Sequence, residues 1–142
     1  MPPLPWTTAP AADAVSDEVL VMASLLRLDA LRRTPGFLRA AMAIRKQVLR
    51  ADGAVGVALN TALPRRTFFT LSAWRDREAV NAFVRSEPHV SIMRRYRPAM
   101  ADARFVFWNT TADKLPPPWS EAEQRLREAT SNSQTKSPNA TP

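Results

Sequence analysis

Five side chains in this sequence are candidates for a functional site, because their types can accept a proton, donate a hydrogen bond or pack against a ligand. His89 is the single histidine of the chain, and its ordinary pKa near neutrality makes it the candidate general base. Tyr96 is the second candidate catalytic residue, because its hydroxyl can donate a hydrogen bond to an oxyanion. The candidate substrate-binding residues are Asn60 as a further donor, Trp74 as a stacking surface and Met93 as an adaptable apolar wall.

Each of these residues also has a purely structural interpretation. His89 can cap or pack at the start of a helix after Pro88, and a tryptophan that ends a strand, such as Trp74, is often part of a core. Tyr96 and Asn60 fit satisfied polar groups at the margin of a core equally well. The two interpretations differ in whether these side chains converge on one pocket.

Other common chemistries lack the residues that they need. The 142-residue chain contains no cysteine, which excludes a disulfide framework, a thiol nucleophile and a thiolate metal site. One histidine and no clustered carboxylates predict no metal site, and three glycines do not make a phosphate-binding loop. We therefore expect no bound metal.

The segment RTFFTLSAWRDREAVNAFVRSEPHVSIMRRY, residues 66–96, predicts the elements that position most of these side chains. Its first part, residues 66–74, alternates with the period of two that a pleated strand requires. Asp76 can cap the amphipathic helix that follows, and Pro88 suits the first turn of a second helix. That second helix places three side chains on one side: His89, Met93 and Tyr96.

The rest of the chain completes a βαββαβ order. Residues 19–28 predict a strand that is apolar on both faces, and residues 35–50 predict an amphipathic helix. Residues 54–63 predict a strand with one bulky and one small face, and the small face admits a closely packed helix or a ligand. With a last strand at residues 104–109, the sequence predicts an α+β, ferredoxin-like, four-stranded antiparallel sheet with helices on one face.

The segments outside this domain differ in composition. Residues 1–18 are rich in proline and alanine and predict a disordered N-terminal arm, while the domain spans residues 19–109. Residues 110–129 predict a Pro-rich spacer and a short C-terminal helix that docks on the body or on a partner subunit. Residues 130–142 are small and polar and predict a disordered tail.

The pattern of the first strand also predicts a homodimer. Two helices can cover only one face of a four-stranded sheet, yet residues 19–28 are apolar on both faces. A chain of this length is expected to have no other element for the second face. The same sheet of a second copy is then the expected cover, which gives a dimeric α/β barrel.

The charge distribution bears on the ligand. The net charge is +7, and residues 19–109 carry 16 basic and 6 acidic residues. An anionic ligand is therefore favoured electrostatically, unless the arginines only form solvated helix faces.

The RNA-recognition fold shares the βαββαβ order but needs aromatics two positions apart on its third strand, whereas Phe68 and Phe69 are adjacent. We expect no nucleic-acid partner. No basic leader or bilayer-length apolar run is present, which predicts no membrane partner and a cytoplasmic location.

The stretch LSAWRDREAVNAFVRSEPHVSIMRRY, residues 71–96, resembles the strand-to-helix segment of the antibiotic-biosynthesis-monooxygenase-like superfamily, the dimeric α/β barrels. Members show a tryptophan that ends the third strand, then a charged turn and an aromatic on the helix; in element order the resemblance covers residues 19–109. It implies a cofactor-independent monooxygenase that acts on a small hydrophobic or aromatic metabolite between sheet and helices. The alternative is a non-catalytic dimeric ligand-binding or accessory protein on the same scaffold.

Two further implications of the resemblance concern individual residues. In cofactor-free oxygenases of this superfamily, asparagine, tryptophan, tyrosine and arginine side chains hold the substrate enolate, and Asn60, Trp74, Tyr96 and an arginine can supply such groups here. Haem-degrading relatives instead ligate iron with a histidine and distort haem with a tryptophan. The corresponding positions here look like Met93 and Phe83, so the resemblance implies no haem unless His89, one turn earlier, replaces the missing ligand.

Overall fold

The fold is built on one antiparallel sheet, and the computed structural model of the chain describes it over residues 4–9 and 18–129. The strands of these described residues are, in chain order, β1 (Leu4–Thr8), β2 (Glu18–Leu28), β3 (Ala54–Ala62), β4 (Thr67–Trp74) and β5 (Met100–Thr111). The helices are α1 (Thr34–Arg50), α2 (Arg77–Val84), α3 (His89–Tyr96) and α4 (Trp119–Glu128). In the sheet the strands lie in the order β1-β3-β4-β2-β5.

The predicted α+β class and βαββαβ order are confirmed from β2 to β5, with α2 and α3 together in the second helical position. Asp76 begins α2 as predicted, because its carboxylate accepts a hydrogen bond of 2.9 Å from the N–H of Ala79. Gly53 turns the chain from α1 into β3 with a φ of +84°, and a Cβ there would lie 2.7 Å from the Cβ of Ala79. A side chain at this turn would strain both the backbone and the packing.

The sheet has five strands rather than the predicted four, because residues 4–8 form β1 within the expected N-terminal arm. β1 pairs with β3 and forms one edge of the sheet. The indole of Trp6 lies against Gly56, where a Cβ would be only 2.4 Å from the ring. The small face of β3 therefore receives a side chain of the chain's own N-terminal segment. Residues 1–3 and 10–17 of the predicted arm and the predicted tail at residues 130–142 lie outside the described residues.

The second face of the sheet, opposite α1, α2 and α3, is covered largely by the chain itself. Its buried side chains on β2 and β4 include Val19, Val21 and Leu71. α4 packs on them through Ala122 and Leu126, which are 0% and 2% exposed. The chain was expected to have no element of its own for this face, and this expectation is wrong, because the C-terminal helix and Trp6 supply the cover. The short helix was expected to dock on the body or on a partner subunit, and in the structure it packs on the body.

The other face of the sheet, called the helix face below, packs against α1, α2 and α3. Phe37 of α1 and Phe68 of β4 are both fully buried, and their rings meet edge to face with centroids 4.8 Å apart. This apolar layer holds α1 and α3 at the distance from the sheet that leaves the cavity described below. None of the helices in the described part of the chain is long and apolar enough to cross a membrane.

Candidate functional site

A cavity lies between the helix face of the sheet and the layer formed by α1, α2 and α3. Its volume is about 80 Å³, well below the roughly 300 Å³ at which typical ligand pockets begin. Apolar side chains form most of its walls. The polar side chains that line it are Ser24, Arg45, Thr70, Ser72 and His89.

His89 is held at this cavity by hydrogen bonds to two neighbouring elements. Its backbone N–H donates to Oε1 of Gln47 on α1 at 2.9 Å. The amide of Gln47 in turn donates to the carbonyl oxygen of Phe83 at 3.1 Å, which ties the end of α2 to the start of α3. The ring of His89 packs against that of Phe83 with centroids 4.9 Å apart. The imidazole is therefore fixed by both backbone and ring contacts.

The surroundings of His89 set its protonation. Burial lowers the pKa of the imidazole below its ordinary value, and the positive charge of Arg97 lowers it further, against an opposing effect of the hydrogen bond to Val84. The ring is therefore neutral at pH 7. Nδ1 lies 3.2 Å from the carbonyl oxygen of Val84, and since a carbonyl only accepts, Nδ1 carries the proton. Nε2 is then the unprotonated nitrogen, which is the form that a general base requires.

Three hydroxyl groups form a polar strip on the sheet beneath the cavity. Ser24 of β2 and Thr70 of β4 are paired in register, and their hydroxyls share a hydrogen bond. The hydroxyl of Ser72 accepts a hydrogen bond of 2.8 Å from Nε1 of Trp74. These groups can reorient to donate to an oxygen atom of a ligand, because a hydroxyl rotates about its C–O bond.

Of the five residues selected from the sequence, the structure brings His89 and Met93 together at the cavity. Trp74 does not line it. Its side chain is fully buried behind Phe83, with ring centroids 5.0 Å apart, and Phe83 forms the wall. Trp74 can thus influence the shape of the cavity only indirectly, because it supports the Phe83 ring that forms part of the wall.

Tyr96 and Asn60 lie away from His89. Tyr96 borders an exposed groove between α1 and α3, where a Cβ on Gly36 would be 2.8 Å from its hydroxyl oxygen. Asn60 pairs across the sheet with Phe69 on the second face. Its side-chain oxygen accepts a hydrogen bond of 2.9 Å from the N–H of Thr61. Neither residue lines the His89 cavity.

The sequence from residue 9 to residue 140 matches the model of a family described as a domain of unknown function, DUF3291. The chain belongs to the DUF3291 family. No curated protein matches its sequence.

Solved structures with low sequence identity share the fold of this DUF3291 chain. A protein from Nitrosomonas europaea, named as an antibiotic biosynthesis monooxygenase, has a TM-score of 0.61 and 15% identity, over 72% of this chain and 95% of its own. A variant of SnoaB, a cofactor-independent oxygenase from Streptomyces nogalater, has a TM-score of 0.52 and 15% identity, over 71% and 99%. The resemblance to the antibiotic-biosynthesis-monooxygenase-like superfamily is thus confirmed for the fold.

The hydroxyl strip and Arg45 line the cavity of the DUF3291 chain but were not among the residues selected from the sequence. Ser24, Thr70 and Ser72 interrupt the otherwise apolar helix face of β2 and β4, and that interruption was the available signal. Arg45 lies on α1 among exposed basic residues, so its sequence position does not distinguish it. Among residues 4–9 and 18–129, no group of three or more His, Cys, Asp or Glu side chains could hold a metal ion.

Proposed function

We propose that this DUF3291 chain is a cofactor-independent monooxygenase that acts on a small aromatic phenol bound beside His89. The observation that carries the proposal is the position of His89 in the wall of an apolar cavity, with Nδ1 at 3.2 Å from the carbonyl oxygen of Val84, so that Nε2 is the nitrogen that can accept a proton. Burial lowers the pKa of the ring, which favours its neutral form. Apolar walls exclude water from a reactive anion, and the hydroxyl strip offers donors to its oxygen. The name of SnoaB, a cofactor-independent oxygenase on this fold, supports the same chemistry.

The proposed reaction balances without a cofactor. His89 takes the phenol proton, and the phenolate transfers one electron to O₂. The resulting radical pair combines to form a C–O bond at the para carbon. The proton of the para carbon then passes to the outer peroxide oxygen as the O–O bond breaks, which forms the ring C=O and releases hydroxide. The protonated His89 gives its proton to that hydroxide. One phenol and one O₂ thus give one para-quinone and one water, and His89 ends neutral as it began.

The cavity limits the size of the substrate. Its volume of about 80 Å³ is smaller than the roughly 150 Å³ of a cavity that holds benzene. A single ring therefore enters only if wall side chains shift, and Met22 and Met93 are flexible enough to do so. We propose single-ring substrates on this ground.

A second candidate function is that of a non-catalytic ligand-binding or accessory protein on the same scaffold. It is favoured by the positions of Tyr96 and Asn60, because two of the expected oxyanion donors lie outside the cavity. In this case the cavity binds an aromatic molecule, and no oxygen is consumed.

His89→Ala is expected to reduce oxygen consumption about 10²- to 10⁴-fold, the usual contribution of a general base. The measurement follows oxygen uptake and quinone formation with 2-methoxyphenol as the substrate. One quinone should form for each O₂ that is consumed. In the wild type, the rate should fall as the pH drops below 6.5 through the lowered pKa of His89, since the protonated ring cannot accept a proton.

The matched control is Ser91→Ala, an exposed position on the same helix. It should leave turnover unchanged. A folded His89→Ala variant with wild-type turnover would exclude His89 as the base. Binding of 2-methoxyphenol without oxygen uptake by the wild type would instead favour the non-catalytic function.

We propose in addition that the chain forms a homodimer through the part of the second face that α4 leaves accessible. Leu25, Phe69 and Val106 are only partly buried there, and they are neighbours on β2, β4 and β5. Light scattering at micromolar concentration should give twice the subunit mass of 15.8 kDa. Phe69→Asp should shift the mass to that of one subunit, because it places a charge in the apolar contact. A wild-type mass of 15.8 kDa would contradict the dimer.

A further inference from the structure

One positively charged side chain in the cavity wall has no negative partner among the described residues. Arg45 projects from α1, is partly buried and lines the same cavity as His89. Its Nη2 donates a hydrogen bond of 2.7 Å to Oγ1 of Thr7 on β1. Its Nε is buried and has no hydrogen-bond partner in the part of the chain that the structure describes. Within the described ranges, the ion pairs are made by other arginines, namely Arg33, Arg75, Arg104 and Arg125.

Arg45 differs from the other arginines whose Nε is buried without a hydrogen bond. Arg104 lies 3.1 Å from a carboxylate oxygen of Asp102, which neutralises its charge. The guanidinium of Arg77 stacks on the ring of Phe107 at 3.9 Å from the centroid, which provides a cation–π partner. Arg45 has neither kind of partner among the described residues, and its one hydrogen bond goes to a neutral hydroxyl.

An unpaired charge at a partly buried site is unfavourable, because water solvates it incompletely and no protein anion replaces the water. An anionic ligand in the cavity would remove this cost. The planar guanidinium matches a carboxylate especially well, since parallel N–H groups can donate to both of its oxygens. The Nε–H of Arg45 is one donor that is still free for such a contact.

We infer that Arg45 is the anion-binding residue of the cavity and that it selects single-ring aromatic carboxylates. The inference rests on the proposed function in one respect, namely that the aromatic ring lies in the His89 cavity. The carboxylate pairs with Arg45 at the α1 side of the cavity, while the ring packs against the apolar walls. The substrate class then becomes the single-ring phenolic acids.

Thr7 acts in this arrangement as a positioning residue. It lies on β1 beside Val57 of β3, so its hydroxyl has a fixed place at the sheet edge. By accepting the hydrogen bond from Nη2, it holds the flexible arginine side chain against the cavity rather than in solvent. The N-terminal strand thus contributes to the site as well as to the sheet.

The test compares benzoate with its uncharged analogue benzyl alcohol by calorimetric titration of the full chain. Arg45→Met should weaken benzoate binding about 10- to 100-fold, the usual effect of losing charge-assisted hydrogen bonds. The affinity of this variant for benzyl alcohol should stay within about twofold of the wild-type value. Thr7→Val, which keeps the charge but removes its tether, should weaken benzoate several-fold. The matched control is Arg39→Met, which removes the same charge from an exposed position on α1 and should change neither affinity.

If Arg45→Met weakened the binding of both compounds equally, the inference would be overturned, because Arg45 would then only support the cavity wall. The proposed function would still stand in that case. Failure of the wild type to bind either compound would count against the proposed site itself. If Arg45→Met does not fold, the test is the effect of salt on the two binding affinities of the wild-type chain. Benzoate affinity that falls with added NaCl while benzyl alcohol affinity holds supports the inference, and an equal response of the two overturns it.

Discussion

Replacing Leu126 with aspartate is expected to abolish most of the stability of this DUF3291 chain. Leu126 is 2% exposed and packs from α4 onto the second face of the sheet. An unpaired carboxylate buried there costs several kcal/mol, which is comparable with the whole stability of a typical domain. α4 can escape this cost only by detaching, and it then exposes apolar side chains of β2 and β4 to water.

Thermal unfolding measures the effect. A loss of about 4 kcal/mol lowers the melting temperature by roughly 10–15 °C for a chain of this size. The matched control is Gln124→Asp, which adds the same charge at an exposed position of α4 and should shift the melting temperature by no more than about 2 °C. An unchanged melting temperature for Leu126→Asp would show that α4 does not cover the sheet in solution. The cover would then have to come from a second copy.

The order of elements could be predicted because it depends on local patterns. The alternation in β4, the apolar stripe of α1 and the cap at Asp76 each involve residues close together in the chain, and the structure reproduces all three. β1 could not be predicted in this way. The segment LPWTT becomes a strand only by pairing with β3, about fifty residues later, and Trp6 fits there only because residue 56 is a glycine.

The faces of β3 show why periodicity alone misplaces side chains. Strict alternation predicts that Val55, Val57 and Leu59 share one face. The register shifts between Ala54 and Gly56, so Val55 packs on the second face while Val57 and Leu59 belong to the helix face. From Gly56 onward the pairing is regular, and Asn60, opposite Phe69, lies on the second face, away from His89.

The candidate site was predictable in part for a similar reason. His89 and Met93 are four residues apart on α3, and this spacing places both at the cavity. Tyr96 begins the next turn, where its ring meets Phe37 edge to face at 5.0 Å and its hydroxyl approaches Gly36. The contribution of Arg45 depends on β1, so no local pattern could reveal it.

Trp74→Ala is expected to cost about 3–5 kcal/mol of folding free energy, the range for deleting a fully buried large aromatic side chain. The substitution leaves a cavity behind Phe83 and removes the hydrogen-bond partner of the Ser72 hydroxyl. Trp74→Phe keeps most of the ring volume, so a smaller loss of about 1–3 kcal/mol is expected from the missing hydrogen bond and the reduced packing. Denaturant titration measures both changes.

Ligand binding then decides whether Trp74 is core or part of the site. Because Phe83 separates its ring from the cavity, Trp74→Phe should leave the affinity for 2-methoxyphenol within about threefold, less than the tenfold change that 1.4 kcal/mol produces. Trp119→Phe is the control, a partly buried tryptophan on the opposite face, and it should change neither binding nor turnover. A Trp74→Phe variant that loses binding at unchanged stability would place the indole against the ligand. Loss of stability with binding retained would establish that Trp74 supports the wall formed by Phe83 and does not contact the ligand.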